Sequence, residues 1–365
     1  MYAAGRKDVQ MSGWETNVRK VTPYIPGEQP DDADMIKLNT NENPYPPSPS
    51  ASAVLGGMNG GRMRLYPDPD VRELKAALSG HFGIEPGQVF VGVGSDDVLA
   101  TAFLTFFNGK KPVLFPDVTY SFYEVWAELF GIPYERPMLD EDFRIKKEDY
   151  LRENGGIVFP NPNAPTGVEM PLTDIEEIIA GNPGSVVIVD EAYVDFGAQS
   201  ALPLIDKYDN LLVVQTFSKS RSMAGMRIGY AMGSKRLIGF LNDVRNSFNS
   251  YTMNRPAIAM GTAAVRDDDY FRMICQKIID TRENTAVQLR RLGFHFEESK
   301  ANFIFAAHRS VPAADLMQEL RKRHIYVRYF PKGRTQNYLR ITIGTPEQME
   351  RLFAALKEIL GEEQA

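Results

Sequence analysis

Short apolar segments rich in β-branched residues alternate with helical patterns between residues 70 and 232. Short, continuously apolar segments suit strands that are buried on both faces, and the intervening apolar residues recur with helical spacing. This alternation predicts an α/β fold with a mostly parallel central sheet flanked by helices. The predicted strands are VFVGV (89–93), PVLF (112–115), GIVF (156–159), VVIVD (186–190), LLVVQTF (211–217) and RIGYAMG (227–233).

The helical patterns between these strands carry their own boundary signals. Helices are predicted over 97–107, 122–130 and 172–180. In the last of these, Thr173 and Glu176 have the spacing of a capping box. A longer helical pattern runs from about Arg236 to Leu292, and we expect it to link two parts of the chain. Residues 1–50 have no such pattern and are predicted to form an irregular arm.

The last hundred residues have a different pattern. The predicted strands alternate polar and apolar residues, which is typical of a sheet with one solvated face. The final helix opens with Thr345 and Pro346 and has Gln348 at its third position, which is a capping box with proline at the first position. These features predict a smaller α+β domain. Its strands are ANFIFAAH (301–308), IYVRYF (325–330) and YLRITIG (338–344), with a helix at 313–322.

Composition argues against several classes of protein. The net charge is −6 and no run of five like charges occurs, which argues against a nucleic-acid surface. The single cysteine, Cys275, cannot form an internal disulfide, and with four scattered histidines it offers no metal-ligand spacing. No apolar run has membrane-spanning length, and the start lacks the apolar core of a signal peptide. We therefore expect a cytoplasmic protein that acts on small molecules and binds no nucleic acid, membrane or metal.

Unusual residues gather where the predicted strands end, which is where open α/β sheets bind ligands. Gly94, Ser95 and Asp96 open a helix whose free N–H groups suit a phosphate, although an ordinary helix start has the same pattern. Tyr120 follows the second strand and is either a ligand-facing ring or a rim aromatic. The segment Asn161–Gly167 after the third strand is dense in turn-forming residues.

Two charged residues at strand ends are the sharpest signals. Asp190 ends a β-branched strand, where an unpaired carboxylate is costly, so a cation should meet it. Lys219 follows LLVVQTF and has Arg221 and Arg227 nearby. Burial and positive neighbours both lower the pKa of a lysine, and the neutral amine can bond to a carbonyl carbon. A structural salt bridge and a lysine that extends to solvent are the alternatives.

One cofactor accounts for the whole set. A phosphate-binding turn, a flat aromatic ring, a buried aspartate, a reactive lysine and a second arginine are together what pyridoxal 5′-phosphate requires. Tyr193, three residues after Asp190, could reach the same pocket. The combination therefore favours a site for this cofactor over five unrelated structural residues.

Seven ordered motifs extend this interpretation over nearly the whole chain: LNTNENPYPPSP (38–49), RLYPDP (64–69), GVGSDDVL (92–99), NPNAPTG (161–167), VIVDEAYVDF (187–196), TFSKSRSMAGMRIGY (216–230) and LRITIGT (339–345). They resemble the fold-type I pyridoxal-phosphate aminotransferases, and among them the histidinol-phosphate aminotransferases. Several motifs are shared with the wider superfamily, so the resemblance is more specific for the fold than for the substrate.

The resemblance also implies a division of the chain. Residues 1–46 would form an N-terminal arm that packs with the small domain and with a dimer partner. Residues 47–265 would form the large cofactor-binding domain, and residues 266–365 the small α+β domain. The implied assembly is a homodimer with shared active sites, since Tyr66 resembles a tyrosine that reaches the phosphate of the neighbouring subunit's cofactor.

Matching the motifs residue by residue implies the cofactor contacts. Lys219 would anchor the cofactor covalently and move the proton in catalysis, Asp190 would pair with the ring nitrogen, and Tyr193 would bind the 3-hydroxyl. Tyr120 would stack on the ring. The phosphate would be held by Gly94, by the backbone of Ser95 and Asp96, and by Ser218 and Arg227.

The implied substrate contacts come from both ends of the chain. Arg340 resembles the superfamily arginine that clamps a carboxylate, and Arg328 matches a second arginine that helps to bind the substrate phosphate. An exposed charge on an edge strand is the alternative for Arg328. Tyr24 matches an N-terminal tyrosine of the same pocket, and Asn43 is expected to contact the substrate as well.

The chain departs from the family pattern at the loop that precedes Pro165. The residue there is commonly an asparagine that donates to the 3-oxygen of the cofactor, and here it is Ala164. Either Asn161 or Asn163 reaches into the site, with Asn163 the expected cofactor ligand, or that hydrogen bond is absent. The glycine-rich motif also differs from the family, with Val93 and Asp97 in place of an asparagine and a glutamate.

The implied activity is transamination between L-glutamate and imidazole-acetol phosphate, giving 2-oxoglutarate and L-histidinol phosphate, or the reverse, as in histidine biosynthesis. Three alternatives stay open at this point: transamination of an aromatic amino acid, decarboxylation of threonine phosphate on the same fold, and a non-catalytic binding protein. The last is disfavoured because Lys219, Asp190 and Arg227 are all present.

Overall fold

The computed structural model describes residues 13–31 and 34–361, which form two β-sheets and ten α-helices. The strands are β1 (Ile36–Leu38), β2 (Val89–Gly92), β3 (Val113–Leu114), β4 (Tyr134–Glu135), β5 (Gly156–Pro160), β6 (Val187–Asp190), β7 (Leu211–Thr216), β8 (Gly229–Gly233), β9 (Phe294–His295), β10 (Phe303–His308), β11 (Ile325–Tyr329) and β12 (Leu339–Thr342). The helices are α1 (Pro49–Gly56), α2 (Arg72–Phe82), α3 (Ser95–Phe106), α4 (Phe122–Phe130), α5 (Leu172–Gly181), α6 (Lys235–Phe248), α7 (Arg255–Arg266), α8 (Asp268–Arg291), α9 (Ala313–Lys322) and α10 (Pro346–Leu360).

The larger sheet has seven strands in the order β2-β8-β7-β6-β5-β3-β4. The five strands from β7 to β4 are parallel to one another, and β8 is antiparallel to both of its neighbours. The connection from β7 to β8 contains a short 3₁₀ turn instead of a crossover helix, so the chain returns in the opposite direction. The predicted α/β fold with a mostly parallel central sheet is therefore confirmed.

Both faces of this sheet are covered, which explains why its strands are apolar throughout. All residues of β5, β6 and β7 are buried. Val187 and Val189 of β6 belong to the hydrophobic cluster on one face, and Ile188 between them belongs to the cluster on the other face. Successive side chains of a strand point to opposite faces, so each cluster takes every second residue.

The smaller sheet has five strands in the order β1-β11-β12-β10-β9. Its first strand comes from the N-terminal segment, and Ile36 and Leu38 pair in parallel with Ile325 and Val327. The prediction of an arm without regular structure is therefore wrong for β1, which is too short to give a periodic signal. The domain boundaries at 46/47 and 265/266 stay a prediction.

Two helix predictions were wrong for identifiable reasons. The pattern from Arg236 to Leu292 is three helices, because α6 ends at Phe248 and the Asn254 side chain caps the start of α7. The capping box proposed for Thr173 is absent from α5. The helix begins at Leu172, so Thr173 lies inside it, and the residue before the helix, Pro171, has no side-chain cap. In contrast, the box of α10 is confirmed. Its two hydrogen bonds join Thr345 and Gln348, at 2.9 and 3.3 Å.

Candidate active site

The carboxyl ends of the parallel strands meet at one edge of the larger sheet. Asp190 ends β6, and Thr216 ends β7 three residues before Lys219. The antiparallel β8 places its first residue, Gly229, opposite Thr216 at this edge. Helix α3 begins there as well, at Ser95. Residues that are far apart in the chain are therefore brought together here.

Two adjoining cavities of about 180 Å³ each lie at this edge. The inner cavity is bounded by the start of α3, Asp190, Ser218 and Arg227. The outer cavity is bounded by Tyr24, Arg328 and Arg340. The wall between them is shared, so a group attached there can be reached from both sides. The shared residues are Thr40, Tyr120, Ala164, Tyr193 and Lys219.

Asp190 is buried in the inner cavity with only 4% of its surface exposed. Its Oδ2 accepts a hydrogen bond of 2.8 Å from the Tyr123 hydroxyl, and its Oδ1 accepts one of 3.2 Å from the Ala192 amide. Burial raises the pKa of Asp190 to about 6, against the opposing effect of these hydrogen bonds. The alternative of a structural salt bridge is not found among the described residues, where this carboxylate has no cation beside it.

Lys219 lies at the boundary of the two cavities. Its Nζ donates to the Thr40 carbonyl at 3.0 Å and lies 5.8 Å from the centre of the Tyr193 ring. Burial lowers the pKa of Lys219 to about 8, and the positive charge of Arg340 adds to the effect. A substantial fraction of this amine is therefore neutral near physiological pH.

The backbone of the lysine segment is held by Asn43. The Asn43 amide donates to the carbonyls of Lys219 and Ser220, at 3.0 and 3.3 Å. Its Oδ1 accepts from the Tyr45 amide at 3.0 Å. The Asn43 amide is thus bonded to the backbone, and Asn43 does not line the outer cavity, so the structure does not bring it together with the other residues of the predicted substrate pocket.

The opposite end of the inner cavity is suited to a phosphate. The Arg227 guanidinium pairs with Asp96 at 3.0 Å and lies 3.5 Å from the Ser218 hydroxyl. Asp96 also accepts a hydrogen bond of 2.7 Å from the Tyr120 hydroxyl. These contacts fix a cation, a hydroxyl and the first N–H groups of α3 around one space, which is the usual composition of an anion site at a helix N-terminus.

Two glycines make this close arrangement possible. A Cβ on Gly94 would lie 2.5 Å from Nη2 of Arg227, and the positive φ of 85° at Gly94 also favours glycine. A Cβ on Gly229 would lie 2.2 Å from the backbone of Gly94 and Ser95. Glycine at both positions lets β8 and Arg227 approach the start of α3.

The asparagine side chains of the 161–167 loop are bonded to nearby protein groups. The Asn163 amide donates to the Val118 carbonyl at 2.9 Å and to the Thr166 hydroxyl at 3.1 Å, and its Oδ1 accepts from Thr119 at 3.1 Å. The Asn161 side chain bonds the backbone of Met170. Neither residue lines a cavity. The polar atoms of Asn163 are thus bonded to neighbouring protein groups, and the structure does not bring this residue to the inner cavity.

The outer cavity has two arginines on one wall. Arg328 of β11 and Arg340 of β12 are directly opposite partners in the antiparallel pair, so their side chains share a face. The Arg340 Nη2 donates to the Asn39 carbonyl at 3.0 Å, while its buried Nε has no hydrogen-bond partner within the described residues. Tyr24 completes the cavity and stacks on Phe122 with ring centres 4.2 Å apart.

Tyr66 is far more exposed than the other predicted residues. It is 76% exposed and stacks on Tyr251 with ring centres 4.5 Å apart. It lines neither cavity of its own chain. The contact predicted for Tyr66 lies on a neighbouring subunit, so a single chain leaves it untested.

Sequence reasoning missed several residues of the site. Thr40 and Asn41 line the outer cavity, and Glu42 lines the inner one. The polar run NTNEN (39–43) was a usable signal, because five consecutive polar residues directly follow the apolar Leu38. Tyr123 gave no signal, since a buried tyrosine in a helix has the same pattern as any core aromatic residue.

In the described part of the chain, no group of three histidine, cysteine, aspartate or glutamate side chains is arranged to hold a metal ion. No described helix is long and apolar enough to cross a membrane.

Comparison with known proteins identifies the family. The family model for aminotransferase class I and II matches residues 33–356. Histidinol-phosphate aminotransferase 1 of Pseudomonas aeruginosa is 52% identical over 343 residues, which cover 94% of this chain and 98% of that protein.

Solved structures share the fold. The histidinol-phosphate aminotransferase of Sinorhizobium meliloti, in complex with pyridoxal-5′-phosphate, has a TM-score of 0.80 and 24% identity, covering 89% of this chain and 90% of that one. An L-threonine-O-3-phosphate decarboxylase of Porphyromonas gingivalis has a TM-score of 0.76 and 21% identity, covering 89% of this chain and 99% of that one. The predicted fold type I is thereby confirmed. The chain belongs to the class I and II aminotransferases and, within them, to the histidinol-phosphate aminotransferase family.

Proposed function

We propose that the protein is a pyridoxal-phosphate-dependent transaminase that interconverts L-histidinol phosphate and 2-oxoglutarate with imidazole-acetol phosphate and L-glutamate, in histidine biosynthesis. The observation that carries the proposal is the position of Lys219 between a cavity that ends in an anion site and a cavity with two arginines. The 52% identity over nearly the full length of a histidinol-phosphate aminotransferase supports the choice of substrate.

The inner cavity fits the cofactor in three respects. Asp190 is a buried carboxylate with no cation of its own among the described residues, and a protonated ring nitrogen would supply one. The start of α3, Ser218 and Arg227 surround a space suited to the phosphate. Lys219 has a lowered pKa of about 8. When bound, pyridoxal phosphate would supply a carbonyl carbon for attachment and a cationic ring that accepts electrons from the substrate carbon.

The residues of the inner cavity would divide the work. Lys219 would anchor the cofactor through Nζ, and once freed by the substrate it would move a proton to and from the substrate Cα. Asp190 would keep a proton on the ring nitrogen, and Tyr120 would lie against the ring face. Tyr193 would donate to the 3-oxygen.

The arginines of the outer cavity would bind two different acids in turn. Arg340 would bind the carboxylate of glutamate or 2-oxoglutarate through its planar fork of donors. Arg328, directly opposite on the neighbouring strand, would bind the phosphate of histidinol phosphate or the second carboxylate of glutamate. Tyr24 would pack against the imidazole end of the substrate.

We also propose a homodimer whose sites are shared. Tyr66 stacks on Tyr251, which is 45% exposed, and Phe248, three residues earlier in the chain than Tyr251, is 85% exposed. Exposed aromatic residues in contact with one another are typical of an interface core. The Arg255 guanidinium donates to the carbonyls of Leu65 and Tyr66 and so fixes the segment that would enter the partner's site. A cytoplasmic location stays a prediction.

Lys219→Ala should abolish transamination. The variant should bind pyridoxal phosphate but lose at least about a thousandfold in rate, because the proton carrier is gone. Lys75→Ala is a matched control, since Lys75 is another lysine whose pKa burial lowers to about 8, and it lines neither cavity. Glutamate-dependent formation of histidinol phosphate measures both. A near-native rate for Lys219→Ala would reject the assignment.

Arg328→Gln should weaken the binding of histidinol phosphate. Loss of a charge-assisted bidentate contact to phosphate should raise KM for histidinol phosphate about 10- to 100-fold. Arg328→Lys keeps the charge but not the fork, so it should lie between the two. Native enzyme assayed with phenylalanine and with threonine phosphate, with carbon dioxide monitored, tests the alternative activities. An unchanged KM in Arg328→Gln would contradict the phosphate contact.

Asp190→Asn should stabilise the cofactor-free chain. A pKa raised to about 6 means that protonation of Asp190 favours the folded state, and that this contribution is fully present below about pH 4 and lost as the pH rises through 6. At pH 8 the free energy of unfolding of the variant, measured by urea titration, should therefore exceed that of the native chain by about 2–3 kcal/mol. Near pH 4 the two proteins should have the same free energy of unfolding. Equal stability at pH 8 would contradict the unpaired carboxylate.

Phe248→Asp should break the dimer, because two-fold symmetry brings like charges close together in a desolvated interface. Light scattering should give twice the chain mass of 41.0 kDa for the native protein and a single chain mass for the variant. The control is Met138→Asp, because Met138 is also exposed, at 60%, and is not one of the aromatic residues near Tyr66. A native protein of single chain mass would refute the shared site.

A further inference from the structure

Asn41 is a buried polar residue whose contacts all lead to the active site. It is 1% exposed, lines the outer cavity and has a left-handed backbone with φ of 56°. Asparagine tolerates this conformation better than most residues. The Asn302 amide donates to the Asn41 carbonyl at 3.1 Å. The backbone of Asn41 is therefore fixed before its side chain is considered.

Thr342 determines which way the Asn41 amide points. The Asn41 backbone N–H donates to the Thr342 hydroxyl at 3.1 Å, and that hydroxyl donates to Oδ1 of Asn41 at 3.0 Å. With Oδ1 on the side of this hydroxyl, Nδ2 lies on the opposite side of the amide. It donates to the Tyr193 hydroxyl oxygen at 2.9 Å.

This chain of donors leaves one direction for the proton of Tyr193. A phenol that accepts from an amide N–H must direct its own O–H elsewhere. Tyr193 lines both cavities, so the open side of its hydroxyl faces the ligand space. We propose that Asn41 is a positioning residue that makes the Tyr193 hydroxyl an obligate donor to an anionic oxygen of the ligand in the inner cavity.

The wall facing Tyr193 shows why a residue outside the loop is needed. Ala164 packs against Tyr193 and has no polar side-chain atom. The amides of Asn161 and Asn163 already donate to the carbonyls of Met170 and Val118. Asn41 is thus the asparagine whose amide reaches the Tyr193 hydroxyl, from the N-terminal segment.

The same contact joins the two sheets. Thr342 belongs to β12, two residues from Arg340 on the wall of the outer cavity. The orientation of the Tyr193 proton is therefore set by a strand of the smaller sheet, whereas Tyr193 itself follows β6 of the larger sheet. A displacement of β12 would release the amide and, with it, the hydroxyl.

The inference rests on the proposed function, because the anionic oxygen is the 3-oxygen of pyridoxal phosphate. A donor to that oxygen withdraws charge from it and so lowers the pH at which the Lys219 nitrogen loses its proton. The absorption of the bound cofactor reports this protonation without any turnover. The charges facing Tyr193 are Arg340 from β12, Asp190 from β6, Asp96 from α3 and Lys219.

Asn41→Asp reverses the contact with little change in shape. The carboxylate still accepts from Thr342 and suits the same backbone conformation, but it cannot donate to Tyr193 and instead accepts the phenol proton. The new charge also acts directly on Lys219, so the substitution is made in both the native and Tyr193→Phe chains. All other charges are common to the four proteins, and the midpoint of each absorption titration is measured.

The expected result is a coupled shift. Asn41→Asp should raise the midpoint in the native background by about one pH unit more than in the Tyr193→Phe background. Equal shifts in both backgrounds would overturn the inference, because the effect would then be one of charge or packing alone. A native chain without pyridoxal-phosphate absorption would instead refute the proposed function, so the two failures are distinguishable.

Discussion

The ionised carboxylate of Asp190 has no cation beside it among the described residues, and the rest of the site is organised around that deficit. The parallel strands place it where little solvent reaches, and the Tyr123 hydroxyl and one backbone amide satisfy only part of its hydrogen-bonding capacity. A buried charge without a partner is unfavourable for folding and favourable for binding, because a cationic ligand recovers the lost energy. The fold thus gives up some stability to obtain a selective binding site.

The short polar segment 39–43 connects the cofactor side of the site to its substrate side. Its backbone carbonyls accept from Arg340 and from Lys219, and its amide side chains hold Tyr193 and the lysine backbone. The segment directly follows β1, which is paired into the smaller sheet. Five consecutive residues that are not part of the larger sheet therefore contact both the cofactor side and the substrate side of the site.

The sequence was informative where one residue carries a strong physical requirement. The alternation of strands and helices predicted the larger sheet. Charged residues near strand ends singled out Asp190, Lys219 and Arg227, because burying a charge at the end of an apolar strand is unfavourable unless the charge has a partner. Strands of two or three residues, such as β1, β4 and β9, contain too few positions for a period. Asn163 is different, because an amide can bond to a loop or to a ligand equally well, and only the three-dimensional contacts show that its polar atoms bond to neighbouring protein groups. Tyr123 and Asn41 act through distant partners, which local patterns do not report.

The shared wall of the two cavities has one more consequence. The pKa of Lys219 is lowered by burial and by Arg340, and Arg340 comes from the smaller sheet, as do the strands that close the outer cavity. A chain in which the smaller sheet has not yet docked would expose Lys219 to water and remove that second charge. Its amine would then be protonated and unreactive at neutral pH. The lowered pKa of Lys219 is thus a property of the completed fold, because it requires the smaller sheet to be in place.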